Sequence, residues 1–294
     1  MIINRLKIPH GTPIIKYNLG THKDVFSRAL NGRQLPDDKC SSKRMGPDFE
    51  SFFGGFTLED AIDKAKRGWD EGRARLNDVL LRMHIDDMSE GEVIECFSDV
   101  SGEIADVGSY LTGNPECMVS IRRQPQLEFR KHIRLQANIG VTCSYTPEQM
   151  FYRGAVAAGL VYLFEMNGWS TELTCSFSGW GGDHKRLWVW HWNAKQPEYQ
   201  LNMDLIAMTL CSAASFRRIG FAIMESMAPN HHKEIGVPGF YTFPQDYVLP
   251  DHDFYIGDLK INSLADAKQH IINIANEIIA NKIKLHADET HIRD

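Results

Sequence analysis

Apolar residues recur with clear periods over the second half of the chain, and those periods predict its elements. Ile133–Cys143 (IRLQANIGVTC) is rich in apolar and β-branched residues and predicts a strand. Glu148–Asn167 carries a continuous helical apolar pattern that stops at Gly168. Trp169–Phe177 and Arg186–Trp192 are again strand-like, with a glycine-rich turn at Gly179-Trp-Gly181-Gly182 between them. Strand, long crossover helix, strand is the order of a parallel α/β sheet. Met203–Ser226 predicts one long helix whose apolar side is built from Leu205, Met208, Leu210, Cys211, Phe216, Ile219 and Ile223. Asp253–Leu259 predicts a last strand. Ser263 caps a final helix over Leu264–Ile283, with Ala267, Ile271, Ile274, Ala275 and Ile278 at helical spacing.

The first half is less regular. Residues 1–50 are punctuated by Gly11, Pro13, Gly20, Gly32, Pro36 and Gly46-Pro47, and are read as an irregular arm with one short helix near Lys23–Leu30. Phe52–Phe56 (FFGGF) is an apolar turn. Thr57 then opens a helix with a capping box, because T-L-E-D sets a carboxylate three residues after the hydroxyl. A second helical stretch covers Ala74–Ile85. Glu92–Phe97 and Cys117–Arg122 predict short strands, and Val107–Thr112 a helical turn. The organisation expected is an arm (1–50), an α+β portion (51–127) and an α/β domain (128–294) with a mixed, mostly parallel sheet flanked by helices.

Composition agrees with a globular core: 43% of residues are hydrophobic and 24% charged. A net charge of −6 argues against a broadly basic nucleic-acid coat. No run of about 18 apolar residues predicts a membrane span, and the N-terminus lacks the apolar core of a signal peptide. Cys40, Cys96, Cys117, Cys143, Cys175 and Cys211 are widely spaced without a C-x-x-C pair, which suits a reduced, cytoplasmic protein.

Three features carry candidate chemistry. Asp99-Val-Ser101-Gly-Glu103 follows a predicted strand. An acid and a hydroxyl so placed offer oxygen ligands to Mg²⁺, which points to a metal-dependent enzyme; the alternative is a polar turn with a helix cap. Trp180, Lys185, Arg186, Trp188, Trp190 and Trp192 form an aromatic and basic cluster. Trp188, Trp190 and Trp192 share one strand face. Exposed, that row would stack single-stranded bases beside cations or dock a protein; buried, it is core. His231-His232, with Glu234, Asp246, Asp251, His252 and Asp253 nearby, could make a metal or acid/base site on the proline- and glycine-rich stretch 228–251, though without a recognised metal-ligand spacing. Nucleotide and nucleophile signatures such as G-x-x-x-x-G-K-[ST] and G-x-S-x-G are missing.

Asp99-x-Ser101 resembles the D-x-S-x-S run of von Willebrand A domains, with Glu103 at the third position. Over roughly 130–283, the succession of a strand, an Arg153-Gly154 that opens a helix, Asn167-Gly168-Trp169, a strand with Glu172, a further helix and strand, and a last helix resembles a degenerate von Willebrand A-like (Rossmann-type) domain. Gly68-Trp69-Asp70-Glu71-Gly72 is similar to the Gly-Trp-x-Glu-Gly element of bacteriophage proteins of unknown function. If Asn138-Ile-Gly140 stands where the metal-binding acid would be, the resemblance implies a lost metal site. It then implies a non-enzymatic, phage-encoded binding protein without a cofactor, acting in the host cytoplasm. The expected partner is a protein, the alternative single-stranded nucleic acid; no membrane contact is expected, and self-association is left open.

Overall fold

A computed structural model of the chain describes residues 12–31, 42, 50–85, 95–99, 104–105, 107–112, 114–115, 118–122, 132–180, 186–226, 247–257 and 259–291. The elements are β1 (Ile14–Thr21), α1 (His22–Asn31), α2 (Leu58–Arg67), α3 (Asp70–Arg82), β2 (Glu95–Asp99), β3 (Ile104–Ala105), α4 (Val107–Leu111) and β4 (Met118–Arg122). β5 (His132–Asn138), α5 (Pro147–Met166), β6 (Ser170–Trp180) and β7 (Leu187–Lys195) follow. Then come a helical pair, α6 (Met203–Cys211) and α7 (Ser215–Glu225), β8 (Phe254–Ile256) and α8 (Leu264–His291).

The main sheet has the order β1-β7-β6-β5-β8. β5 pairs parallel with β6 and β8, β1 pairs parallel with β7, and β6 and β7 form an antiparallel pair. The sheet is therefore mixed and mostly parallel with flanking helices, an α/β fold as the sequence pattern predicts. A second, three-stranded antiparallel sheet has the order β2-β4-β3.

Local signals explain several boundaries. Thr57 caps α2 reciprocally: its hydroxyl accepts from Asp60 N at 3.0 Å while the Asp60 carboxylate accepts from Thr57 N at 3.3 Å. Thr146 and Gln149 make the same box at the start of α5, with Pro147 in the first turn. Gly168 ends α5 at φ +74°, a conformation that a side chain disfavours. Arg153 therefore lies well inside α5 rather than at its opening.

Two expectations are corrected. Residues 14–21, assigned to an irregular arm, form an edge strand with Ile14 opposite Leu187 and Asn18 opposite His191. Ile15, Tyr17 and Leu19 turn inward there and alternate with exposed Lys16 and Asn18. The single helix expected over 203–226 is two helices bent by 71°. Ser212 between them is extended (φ −84°, ψ 130°), and its hydroxyl accepts from Ala214 N at 3.2 Å, so it caps the second half. The bend also meets a neighbour: Gly154 of α5 lies so close to the backbone of Leu210 and Cys211 that no side chain fits between.

The two faces of the sheet differ. Leu135, Ala137, Cys175, Phe177 and Trp190 join the buried apolar residues of the helices in one large core. On the opposite face, Leu187 and Val189 pack with Leu249, Tyr247 and Trp180, a cluster without a helical member. That face also buries polar groups. Gln136 donates to Ser176 Oγ and Tyr247 O, both at 2.8 Å, and accepts from Leu249 N at 2.7 Å, so one side chain clamps the 247–249 segment to the sheet.

Candidate functional site

The tryptophan row is core, which corrects its reading as a binding face. Trp188, Trp190 and Trp192 are buried, at 0%, 1% and 3% exposure. Trp190 stacks on Phe177 at 5.0 Å and Trp188 on Tyr17 at 5.9 Å, so β1 and β6 supply the partners that close the row. Bases and partner side chains do not reach these rings. Trp180, at the end of β6, packs toward Leu187, Val189 and Leu249 on the other face. Arg186 is half-buried just before β7, and Lys185 lies outside the described residues.

At the carboxyl end of β5, cations from the protein occupy the carbonyls. Asn138 Oδ1 accepts from Gly140 N at 2.8 Å. The buried Arg153 guanidinium donates to the carbonyls of Asn138, Gly140 and Gly257. Arg217 donates to the carbonyls of Phe52 (2.8 Å), Tyr145 (2.7 Å) and Thr142 (3.3 Å). Arg218 donates to Phe56 O at 2.8 Å and Ser42 O at 2.7 Å, and the Glu225 carboxylate accepts from Ser42 N and its hydroxyl. Burial pushes the Arg217 guanidinium down to about 10, still a cation at neutral pH. Together Arg217 and Arg218 clasp the FFGGF turn at both ends.

A concavity of another kind lies elsewhere, a groove of about 880 Å³. α1 supplies Phe26 and Ser27, the end of α2 supplies Ala65–Gly68, and β7 with the following segment supplies Asn193–Gln196 and Tyr199–Ile206 in part. Gly68, which opens Gly68-Trp69-Asp70-Glu71-Gly72, lines it. Gly68 stands at φ +109° against Asp204, Trp69 lies across Gly72, and the ring of Trp69 meets Phe56 edge-on at 5.6 Å. Arg73 bridges Asp70 and Asp204. Buried Phe26, Ala65, Ala194 and Ile206 contribute apolar surface, and four carboxamides, Asn193, Gln196, Gln200 and Asn202, contribute hydrogen-bonding groups.

A second exposed feature is apolar. Val107, Tyr110 and Leu111 on α4 are 64%, 68% and 77% exposed, and their spacing sets them on one face of the turn. Asp99 ends β2; Ser101 and Glu103, proposed with it as Mg²⁺ ligands, lie outside the described residues. So do His231, His232, Glu234 and Asp246. Of that group, Asp253 accepts from Arg134 N at 2.7 Å and His252 Nδ1 lies 3.2 Å from Pro250 O. Among the described residues, no three His, Cys, Asp or Glu side chains gather where a metal ion would be held. Burial pushes the thiols of Cys175 and Cys211 up, so both are inert at neutral pH.

A model of a family described as "Domain of unknown function (DUF7192)" matches residues 18–282, from inside β1 to inside α8. The chain belongs to this family. No curated protein and no solved structure matches it. The DUF7192 span takes in residues 18–21 of the edge strand, the small sheet and the other four strands of the main sheet, so the stretch expected as an arm enters the family region within β1. No single described helix is long and apolar enough to cross a membrane.

Proposed function

We propose that this DUF7192 protein is a non-enzymatic binding protein that docks a protein partner. One observation carries the reading: the apolar face of Val107, Tyr110 and Leu111, unburied on a helical turn beside the small sheet. Exposing three such side chains together costs solubility, and a partner surface offsets that cost. Tyrosine and leucine side chains lose little rotamer entropy when they become contacts, and tyrosine is enriched at interface centres. The helix face takes over the role that the tryptophan row was expected to have.

The finer reading of fold and origin belongs to the same proposal. A degenerate von Willebrand A-like domain is supported by the succession β5, α5, β6, α6–α7, β8 and α8; phage origin, and with it the host cytoplasm, rests on the Gly68-Trp69-Asp70-Glu71-Gly72 element alone. The Arg153 guanidinium seated on the carbonyls of Asn138 and Gly140 supports loss of the metal site, because a fixed cation there competes with an ion.

A photo-crosslinking amino acid at Tyr110, in cells that encode the protein, tests the docking face. A discrete adduct that disappears with Val107→Ser and Leu111→Ser is expected. The absence of an adduct, or the same adduct from a crosslinker at exposed Leu81, would refute the proposal. A rise in melting temperature on adding Mg²⁺ would instead favour a metal-dependent enzyme through Asp99, Ser101 and Glu103.

A further inference from the structure

The main sheet divides at β5: β6 pairs on one side of it and β8 on the other. Open α/β sheets bind ligands in the crevice at the carboxyl ends of strands placed in this way. Here the space is a cavity of about 20 Å³, lined by Asn138 of β5, Met150, Arg153 and Ala157 of α5, Leu210 of α6 and Ile256 of β8, among others. We infer that this cavity is a binding site for one structural water molecule, held by Arg153. The inference is independent of the docking face.

The donor count carries it. Arg153 is 5% exposed, and a guanidinium has five N–H groups. Three of them donate to the carbonyls of Asn138, Gly140 and Gly257. The other two find no acceptor among the described residues, although the side chain lines the cavity. Charged donors buried without a partner are costly, so an acceptor belongs there. Leu210 supplies the opposite group. Its carbonyl oxygen lies against Gly154, the residue after Arg153, and both Leu210 and Gly154 line the same space. A carbonyl oxygen has two lone pairs and can accept from a water's hydrogen. Two donors and one acceptor make the three hydrogen bonds that a buried water typically forms.

Size and charge set other occupants aside. A water needs about 10–15 Å³ of such space, and the cavity offers about 20 Å³. Pockets for small organic ligands begin at roughly 300 Å³. A metal ion would sit beside a fixed cation, which repels it. A halide would suit the guanidinium but would also face the carbonyl oxygens gathered around it. Water both accepts and donates, so it meets both kinds of group. Walls of Met150, Ala157 and Ile256 alone would leave the space dry; the guanidinium is what wets it.

The bound water joins the end of β5 to α5 and to the bend after α6. It also closes the crevice, since a larger ligand would have to displace both the water and Arg153.

A high-resolution crystal structure of the full-length protein, with a second crystal soaked in sodium bromide, tests the site. One ordered peak within about 3.2 Å of an Arg153 Nη atom is expected, with no anomalous bromide signal there. An empty cavity, a side chain filling it, or a bromide peak would overturn the inference. Two variants test it in solution. Ala157→Val and Ala157→Ser have similar helix propensities. The valine methyls displace the water and return no hydrogen bond, whereas the serine hydroxyl takes over its role. Ala157→Val should therefore melt at least about 2 °C below Ala157→Ser. Ala157→Val melting at or above Ala157→Ser would mean that the cavity is dry, and the inference would fall.

Discussion

Replacing Gly154 by alanine should destabilise the protein despite alanine's better helix propensity. A Cβ at Gly154 would stand 2.2 Å from the Leu210 carbonyl oxygen, 2.4 Å from its carbon and 2.7 Å from Cys211 Cα. All three are backbone atoms at the bend of the helical pair, so relief requires α5 and α6 to part. Comfortable carbon contacts lie at about 3.5–4.0 Å, so the separation needed is roughly 1 Å or more. Overpacking of a core costs about 1–3 kcal/mol, and a backbone obstacle belongs at the upper end. Alanine returns about 1 kcal/mol of helix propensity. The net loss is roughly 2 kcal/mol, or a melting temperature lower by about 3 °C for a chain of this size. Gly159, on the same helix, is the control. There the Cβ would meet Ile271 Cδ1 at 2.7 Å and Leu80 Cδ2 at 3.1 Å, the ends of flexible side chains. Gly159→Ala should fall within about 1 kcal/mol of the parent, since repacking and propensity offset each other. Thermal melts by circular dichroism, with urea titration for the free energies, measure both. If Gly154→Ala melts at or above the parent, or no lower than Gly159→Ala, the backbone contact is not what holds α5 against α6.

Two further outcomes follow from buried cations and a half-buried base. Arg217→Met removes donors from the carbonyls of Phe52, Tyr145 and Thr142 and should cost roughly 2–4 kcal/mol in urea denaturation; loss below about 1 kcal/mol would mean that water replaces the guanidinium. His191 has its pKa lowered from 6.5 by burial first, then by His252 and Lys16. Its neutral form is the one the fold prefers, so the unfolded chain binds the extra proton. Stability is complete above about 6.5 and declines as the pH drops below that value. His191→Asn should flatten the acid limb of melting temperature against pH, and an unchanged limb would assign it to other groups.

The sequence discloses elements whose signals are local. The Thr57 box, the Gly168 stop and the inward run Ala267, Ile271, Ile274, Ala275, Ile278 all appear where the pattern sets them. The antiparallel turn between β6 and β7 is legible from Gly179–Gly182. The bend at Ser212 is harder to read, because apolar residues continue on both sides and a serine inside such a run also reads as a tolerated interior residue. A signal for β1 was present in the alternation of Ile15, Tyr17 and Leu19 with Lys16 and Asn18, but Pro13 and Gly20 frame it so closely that it passes for loop. Trp188, Trp190 and Trp192 show their common face in sequence; only Phe177 and Tyr17, brought in from other strands, decide that the face is closed. The groove escapes sequence reading for the same reason. Its walls come from α1, α2 and β7, and no short motif links Ser27, Lys66 and Asn193. The carbonyl partners of Arg217 are equally remote, at Phe52 and Tyr145.

The pairing of β1 with β7 has a consequence for how the polypeptide is made. Ile14 leaves the ribosome about 170 residues ahead of Leu187, its neighbour across the ladder. At synthesis rates of roughly 5–20 residues per second, that is a wait of about 10–30 seconds. Throughout that interval the segment has no native strand beside it, and a nascent chain stalled before Leu187 keeps it so. Chaperone dependence of the newborn protein should therefore concentrate on Ile14–Thr21 and fade once β7 has emerged.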